Sequence, residues 1–275
     1  MNPRRSWLFV PGADAAAHQA AARSGADVIV LELEDFTPPE LRPKAYALSE
    51  QALASWRSAG AIAAVRVNPL ETCGHRDLAG VLGARPDLIM MSKVASSQQV
   101  ISLEKATGGT VELVPNIESA AGLLNVFSIA KASPKVSALL VASEDMVADL
   151  GTERSRGGEE LAYVRARFLV ECRAAGVEAI DCPYTFSDSK GAAADARHAR
   201  MLGYRAKSLV VPAHAAAVNR VFTPGAAEIA KAKRIVAAFD KARAAGKDRA
   251  KVDGALIEVP IYAAAKRLLA GAVRR

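Results

Sequence analysis

The feature that most constrains the fold is a repeated alternation of short apolar runs with longer segments rich in Ala, Leu, Arg and Glu. The apolar runs have the length of β-strands, and the segments between them have the composition of α-helices. Strands that alternate with helices predict parallel strands, because a parallel pair needs a crossover connection. The strand-like runs are residues 6–10, 28–33, 61–67, 87–91, 110–114, 136–141, 177–180 and 206–211.

Eight strands with intervening helices predict a (β/α)₈ barrel, the TIM-barrel fold. A doubly wound open sheet is the alternative, but such a sheet usually has fewer strands and a phosphate-binding glycine loop. The sequence contains neither GxGxxG nor GxxxxGK[ST]. We therefore predict a catalytic barrel domain over residues 1–222. The predicted helices are residues 15–24, 44–59, 97–107, 119–130, 158–175 and 190–202.

Residues 223–275 exceed what closure of a barrel requires. Their pattern predicts two helices, 226–245 and 260–272, separated by a turn that contains Gly, Lys and Asp. We expect this C-terminal helical extension to act as a lid or an oligomer contact. It also contains the basic excess of the chain, with 12 Lys and Arg against 4 Asp and Glu from Lys231 to the end. The charges of residues 1–230 are nearly balanced, with 24 Lys and Arg against 25 Asp and Glu.

The basic excess of the extension has three interpretations. Its basic residues alternate with Ala, Ile and Val at helical spacing, which favours a solvated helix face. An anionic small molecule, such as a nucleotide-tailed thioester, is the second interpretation. Nucleic acid is disfavoured, because the segment has few aromatic residues for base stacking.

Composition indicates the class of protein. The hydrophobic fraction of 51% and the charged fraction of 24% are typical of a globular domain. No apolar run approaches the roughly 18 residues that span a bilayer, and the N-terminal apolar stretch is too short for a signal peptide. We therefore predict a cytoplasmic protein without a membrane partner. The three cysteines form no CxxC pair and are expected to be reduced core residues.

Two carboxylates follow neighbouring strands at the ends where ligands bind in α/β folds. Glu118 comes after the fifth predicted strand, and Asp145 comes after the sixth. Two carboxylates at adjacent strand ends can share a hard divalent cation such as Mg²⁺. The alternative is that both acids are helix caps or first-turn residues, which the helix dipole favours.

The second and third strands also end in charged residues. Glu34 and Asp35 end the second strand, where adjacent acids repel one another unless a cation compensates. Arg66 ends the third strand among apolar neighbours, where burial of an unpaired guanidinium would be costly. Arg66 either pairs with Glu34 or Asp35 as a purely structural ion pair, or it also stabilises an oxyanion of the substrate. A metal ion can polarise a carbonyl group while a nearby arginine stabilises the negative oxygen of an enolate.

These segments, in this order, resemble the HpcH/HpaI aldolase/citrate lyase superfamily, and they extend over nearly the whole chain. The resemblance implies a TIM barrel, Mg²⁺ bound by Glu118 and Asp145, and an active-site arginine at Arg66. It implies cleavage or formation of a carbon–carbon bond in a short 3-hydroxyacyl-CoA, such as malyl-, citramalyl- or citryl-CoA. We expect substrate contacts from Arg66, Glu34, Asp35 and Glu144. The segments that resemble the family are residues 5–12, 31–35, 65–69, 117–122, 143–145, 179–184 and 255–260.

Three positions depart from the family pattern. Val211 stands where relatives often have histidine, and His214 stands where they have glutamine, which affects the expected contact with the acyl carrier or CoA. Glu258 stands where the lyases place an acid–base aspartate, so we expect it to be the catalytic carboxylate or an ordinary capping acid. Family resemblance also implies a homo-oligomer, a trimer or hexamer, in which the extension covers a neighbouring site.

Two other functions fit the same sequence. One is a metal-dependent aldolase that releases a 2-keto acid from a substrate without CoA. The other is a non-catalytic binding subunit that kept the barrel, which the changes at Val211 and Glu258 favour.

Overall fold

A computed structural model describes residues 3–273 and shows eight parallel strands closed into a barrel. The strands follow chain order around the ring, and the eighth pairs with the first. This confirms the predicted TIM barrel. The strands are β1 (Ser6–Pro11), β2 (Val28–Glu32), β3 (Ile62–Val67), β4 (Leu88–Met91), β5 (Glu112–Ile117), β6 (Ala138–Val141), β7 (Glu178–Asp181) and β8 (Ala206–Leu209).

The connections between the strands are helical. Local sequence fixes several of their starts: the Asp14 carboxylate accepts hydrogen bonds from the amides of Ala16 and Ala17, and Ser96 with Gln99 forms a capping box. The barrel helices are α1 (Ala15–Ala22), α2 (Arg42–Ser58), α3 (His75–Val81), α4 (Ser97–Ala106), α5 (Ala120–Leu124), α6 (Val126–Ala130), α7 (Glu144–Asp149), α8 (Ala162–Ala175), α9 (Ser189–Leu202) and α10 (Ala215–Phe222).

Both faces of the sheet are buried, which explains why the strands read as continuous apolar runs. On β1, Trp7 and Phe9 belong to the core inside the barrel, whereas Leu8 and Val10 belong to the core under the helices. This alternation has a period of two residues on every strand. It therefore fixes which strand-end side chains point toward the barrel axis.

Several predicted boundaries differ from the structure by a few residues, among them the start of α8, predicted at 158 and found at Ala162, and the end of β8, predicted at 211 and found at Leu209. Two other differences have a visible cause. The fifth strand was predicted over residues 110–114, but β5 continues through Pro115 to Ile117 and still pairs with β4 and β6. The helix expected over 119–130 is divided into α5 and α6. The Asn125 side chain donates to the carbonyl of Ala121 at 3.0 Å and to that of Ala95 at 3.0 Å, so it replaces part of the helical bonding at the break.

A buried ion network attaches two helices to the barrel. It comprises Arg165 on α8, Asp181 on β7, Asp195 on α9 and Lys207 on β8, and we call it the α8–α9 network. Arg165 reaches Asp181 at 2.7 Å and Asp195 at 2.9 Å, and Lys207 reaches the same carboxylates at 2.7 and 2.5 Å. Two cations therefore face two anions. Burial lowers the pKa of Lys207, but its two aspartate partners raise it more, so the lysine is held charged.

The chain divides into two compact units, the barrel from Arg4 to Phe222 and a second unit from Thr223 onward together with Pro3. The second unit contains α11 (Ala226–Ala244), an antiparallel hairpin of β9 (Ala250–Val252) and β10 (Ala255–Ile257), and α12 (Val259–Val273). The hairpin stands where only a turn was expected. The unit has a core of its own, which includes Ile235, Phe239 and Ile257. Within residues 3–273, no helix combines the length and the apolar character needed to cross a membrane.

Candidate active site

A cavity of about 280 Å³ opens at the carboxyl ends of the barrel strands, which we call the barrel mouth. This is the end of a TIM barrel at which catalytic residues gather. Its charged lining residues are Asp35, Arg66, Glu144 and Asp145. Its hydroxyl-bearing residues are Ser143, Thr185 and Ser208. Its apolar residues are Phe9, Phe36, Leu140, Ala142, Pro183 and Val210.

Arg66 is buried in the inner wall of this cavity with 6% of its surface exposed. Its Nε donates to Glu32 at 2.9 Å, one terminal nitrogen lies 3.0 Å from Glu34, and the other lies 3.5 Å from Glu118. Its guanidinium also stacks 5.0 Å from the ring centre of Phe9. Burial lowers the pKa of Arg66, but the three carboxylates raise it more, so the guanidinium is fixed in place and permanently charged.

The predicted pairing of Arg66 with Glu34 is present at 3.0 Å, whereas Asp35 is more distant at 3.8 Å and half-exposed. Glu34 is buried, and its other oxygen lies 2.5 Å from the ammonium of Lys93. Lys93 adopts a left-handed backbone with φ of 55°, which is strained for lysine. Burial raises the pKa of Glu34 despite its two cationic neighbours. The observed contacts of Glu34 are thus with protein cations.

Glu118 and Asp145 behave differently from the paired acids. Glu118 is 2% exposed, and neither of its carboxylate oxygens accepts a hydrogen bond from the described residues. Burial raises the pKa of Glu118 to about 8, although Arg66 opposes the shift, and nearby Glu34 and Asp145 raise it further. Asp145 follows β6, lines the cavity and is half-buried. Its nearest cation, Arg66 at 3.5 Å, is shared with Glu32 and Glu34. A buried carboxylate that accepts no hydrogen bond, beside a second carboxylate, therefore favours a further positive charge.

The charges of the mouth do not balance. We define the mouth cluster as Glu32, Glu34, Asp35, Glu118, Asp145, Arg66 and Lys93, which is five carboxylates against two cations. Within residues 3–273, no three His, Cys, Asp or Glu side chains are grouped closely enough to hold a metal by themselves. Two carboxylate ligands with water and substrate completing the shell is the usual arrangement for Mg²⁺. The donor set therefore fits a hard divalent ion.

A side chain joins the two segments that hold Glu118 and Asp145. Asp149, at the end of α7, accepts a hydrogen bond of 2.7 Å from the amide of Ala120, at the start of α5. Gly122 allows α5 to pack closely, because a Cβ there would lie 2.7 Å from the carbonyl oxygen of Val94. The two segments that hold these carboxylates are thus connected by a hydrogen bond within the protein.

Two more predicted positions lie near the mouth. Glu144 lines the cavity, accepts a hydrogen bond from Thr185 at 2.9 Å, and lies 3.4 Å from Nε of Arg154. His214 is fully buried, and its Nε2 lies 3.2 Å from the carbonyl oxygen of Ser187. The observed contacts of His214 are with the loop after β7, and it is not among the residues that line the cavity.

Glu258 belongs to the second unit. Its carboxylate is half-exposed and lies 3.8 Å from Nε of Arg249, a weak surface pair. Its predicted acid–base role stays a prediction.

Sequence reasoning missed two members of the mouth cluster. Glu32 is fully buried, pairs with Arg66, and accepts the amides of Glu34 and Phe36 at 2.6 Å each. The period of two along β2 would have identified it, because Glu32 follows the inward-facing Val28 and Val30. Lys93 gave a fainter signal, since it only follows β4 by two residues.

Comparisons with known proteins show the family of the chain. The model of the family described as HpcH/HpaI aldolase/citrate lyase matches residues 5–212. Citrate lyase subunit beta of Haemophilus influenzae is 34% identical over 98% of this chain and 97% of its own length. L-malyl-CoA/beta-methylmalyl-CoA lyase of Cereibacter sphaeroides is 32% identical over 94% of this chain and 91% of its own length. The citrate lyase beta subunit of M. tuberculosis, complexed with oxaloacetate and magnesium, superposes with a TM-score of 0.70 at 27% identity, over 82% of this chain and all of that one.

Proposed function

Because the chain belongs to the HpcH/HpaI aldolase/citrate lyase family, we propose that it is a Mg²⁺-dependent lyase of a short 3-hydroxyacyl-CoA. Malyl-, citramalyl- and citryl-CoA are the candidate substrates. Support comes from the lyases among its relatives, one of which acts on a CoA thioester. A magnesium complex of a solved relative supports the choice of ion.

One observation of this chain supports the proposal most directly. Glu118 is buried without a hydrogen-bond donor and lies near Asp145, which lines the cavity. Such an arrangement is costly in a folded protein unless a cation binds there. The residues that would hold the ion are Glu118 and Asp145. When bound, the ion would polarise the oxygens of a hydroxy or keto acid.

The reaction needs a fixed positive charge where an enolate forms. The hydroxyl on C3 of the substrate loses its proton, the C2–C3 bond breaks, and its electron pair moves onto the thioester as an enolate. C3 becomes the carbonyl of a 2-oxo acid, and protonation of the enolate carbon gives the shorter acyl-CoA. Arg66 is oriented for this role because Glu32 and Glu34 hold two of its nitrogens. The nitrogen facing Glu118 at 3.5 Å is the least strongly bonded and the one available to an enolate oxygen.

The test is direct cleavage of the three candidate thioesters. The parent with Mg²⁺ should release a 2-oxo acid and an acyl-CoA in equal amounts, and a chelator should stop the release. Glu118→Gln should bind Mg²⁺ weakly and release neither product. If the parent binds Mg²⁺ but cleaves none of the thioesters, the proposed lyase is wrong. Cleavage of the free hydroxy acids alone would identify an aldolase that does not use CoA.

We also propose that the second unit completes the site of another subunit in a homotrimer or hexamer, with Glu258 moving the proton. Its separate core and its half-exposed Leu256, Val259 and Ile261 support an interface role. Mixing Arg66→Ala protein with Glu258→Ala protein tests this, since hybrid oligomers with shared sites should regain partial activity. If mass spectrometry shows subunit exchange and no activity returns, the shared-site proposal fails.

A further inference from the structure

The side chain of Asn116 is a fully buried amide inside the barrel. Asn116 lies on β5, two residues before Glu118. Within the part of the chain that the structure describes, neither its Oδ1 nor its Nδ2 has a hydrogen-bond partner. Burial of an unpaired amide is costly, so folded proteins nearly always provide a partner for such a group.

Asn116 lies beneath the barrel mouth and on the same side of β5 as Glu118. Val114 belongs to the core inside the barrel, so the period of two residues places Asn116 and then Glu118 on the same inward face. In the sheet, Asn116 pairs with Leu140, which lines the cavity. The amide is therefore one residue layer below the carboxylate of Glu118.

A second buried asparagine serves as a comparison. The Nδ2 of Asn68, after β3, donates to Asp77 at 2.7 Å and to the carbonyl of Leu33 at 2.9 Å. Its Oδ1 accepts a longer bond from Arg42 at 3.4 Å. The chain itself thus completes the bonding of Asn68, whereas Asn116 finds no partner among residues 3–273. The difference indicates that Asn116 bonds to something outside the polypeptide.

Glu118 has the complementary need. Its carboxylate accepts no hydrogen bond from the described residues, and its nearest cation, Arg66 at 3.5 Å, is shared with Glu32 and Glu34. Carboxylates that bind a metal are themselves hydrogen-bonded by neighbouring groups. The amide of Asn116 has two N–H donors, whereas an ionised carboxylate only accepts.

We infer that Asn116 holds a buried water molecule that donates a hydrogen bond to Glu118, so that Asn116 is a positioning residue for a metal ligand. Inward-facing residues two apart on a strand are separated by about 6.5 Å. Side chains close part of this distance, and one water with two hydrogen bonds of about 2.8 Å bridges the remainder. The water accepts from the Asn116 amide and donates to the carboxylate, which gives both buried groups a partner.

This inference rests on the proposed function, because it takes Glu118 to be a ligand of Mg²⁺. It goes further, since it assigns a role to a residue that is not among those lining the cavity.

The test separates metal affinity from the stability of the fold. Asn116→Leu keeps a branched side chain of similar size and removes the atoms that form hydrogen bonds. Calorimetry on the full chain should show that the Mg²⁺ affinity falls about 10- to 100-fold. The urea midpoint of the metal-free protein should change little, because leucine suits the apolar interior. Asn68→Leu should instead lower that midpoint, because it deprives Asp77 of a donor.

Val114→Ala is the matched control on the same face of β5. It deletes core methyl groups two residues from Asn116, and should lower stability without changing the Mg²⁺ affinity. If Val114→Ala weakens Mg²⁺ binding as much as Asn116→Leu does, the affinity reports on packing of the barrel interior and the inference is wrong.

A crystal structure keeps the inference testable if Asn116→Leu does not fold. The Mg²⁺-loaded parent should show one ordered water within about 3.2 Å of both the Asn116 amide and the Glu118 carboxylate. Density without a water between them, or an amide bonded to another protein group, would overturn the inference.

Failure of the inference differs from failure of the proposed function. If the parent binds Mg²⁺ and Asn116→Leu binds it equally well, the inference is wrong and the proposed metal site stands. If Asn116→Leu loses stability as Asn68→Leu does, Asn116 is a structural residue only. If the parent binds no Mg²⁺, the proposed metal site is wrong and the inference falls with it.

Discussion

The mouth cluster and the α8–α9 network are both buried groups of charged residues on one barrel, but they are built in opposite ways. The network has two cations and two anions, each within 2.9 Å of a partner. The mouth cluster has five carboxylates and two cations, and Glu118 receives no hydrogen bond. A balanced group is complete in the folded chain, whereas an unbalanced one requires something from outside. The comparison indicates that the network stabilises the fold and that the mouth binds a ligand.

The largest effect should come from opening the network. Lys207→Met leaves Asp181 and Asp195 buried with only Arg165, which should lower the free energy of unfolding by about 3–5 kcal/mol. Urea denaturation measures this loss. The matched double variant Asp195→Asn/Lys207→Met removes an anion with the cation and should recover part of it. A loss below about 1 kcal/mol, the value typical of a surface pair, would contradict the comparison.

At the mouth, Arg66→Lys should remove activity while the fold persists. Lysine keeps the charge but cannot hold Glu32 and Glu34 and still offer a donor to the enolate. We expect kcat to fall about 100-fold or more, as for loss of an oxyanion donor. Arg165→Lys in the network is the matched control and should cost stability with little change in kcat. Parent-like turnover of Arg66→Lys would make Arg66 a structural ion-pair partner only.

Neutralising one acid should change stability in opposite directions in the mouth cluster and in the α8–α9 network. Glu118→Gln is the variant for the mouth cluster. The Mg²⁺ affinity measured by calorimetry should fall by about 100-fold, at least as much as for loss of a second-shell ligand. The metal-free fold should become equally or more stable, because a buried carboxylate that accepts no hydrogen bond is removed. Asp195→Asn in the network should do the opposite and destabilise. If both variants lose equal stability, Glu118 is part of the fold in the same way as Asp195.

The smallest effect is a pH slope in metal-free protein. The pKa of Glu118 is raised from an ordinary value of 4.5 to about 8, so between these values the folded state holds a proton that the unfolded state releases. The free energy of unfolding should therefore fall as pH rises through this interval, by at most about 1.4 kcal/mol per pH unit. Chelator-treated protein followed by denaturation at successive pH values measures the slope.

The network should respond in the opposite direction. Burial raises the pKa of Asp195, but Lys207 and Arg165 lower it more, to below its usual 3.8. Its contribution is complete above that value and is lost as pH falls through the lowered pKa. Glu118→Gln should remove most of the pH dependence of the free energy of unfolding near neutral pH. It should leave the loss of stability at acidic pH unchanged. An unchanged neutral slope in that variant would show that Glu118 is not the titrating group.

The sequence predicted the fold better than it predicted the contacts of the site. Strand and helix alternation is a local pattern, so the barrel and most strand ends could be read directly. The end of β5 was predicted three residues too early, because β5 continues through Pro115 by pairing with strands on both sides. Asn125 divided a helix through side-chain bonds that spacing alone does not reveal.

For the candidate site too, local sequence patterns identified some residues, whereas others are identified only by contacts in the folded chain. Glu118, Asp145 and Arg66 were found because each follows or ends a strand. The strained backbone of Lys93 and the pairing of Glu32 with Arg66 depend on tertiary packing between β2, β3 and the loop after β4. The bonding of each buried asparagine likewise requires coordinates, since the sequence shows an asparagine but not its partner.

The hydrogen bond from Ala120 to Asp149 bears on how the proposed site would discriminate among ions. It joins the segment after β5 to the end of α7, so the spacing of Glu118 and Asp145 is set when the chain folds, before an ion arrives. Mg²⁺ tolerates little departure from short, octahedral bonds, whereas Ca²⁺ accepts more ligands at longer and more variable distances. A preset spacing therefore selects by ionic radius, and the entropy of gathering the two ligands is lost once, during folding, and not again at each binding event.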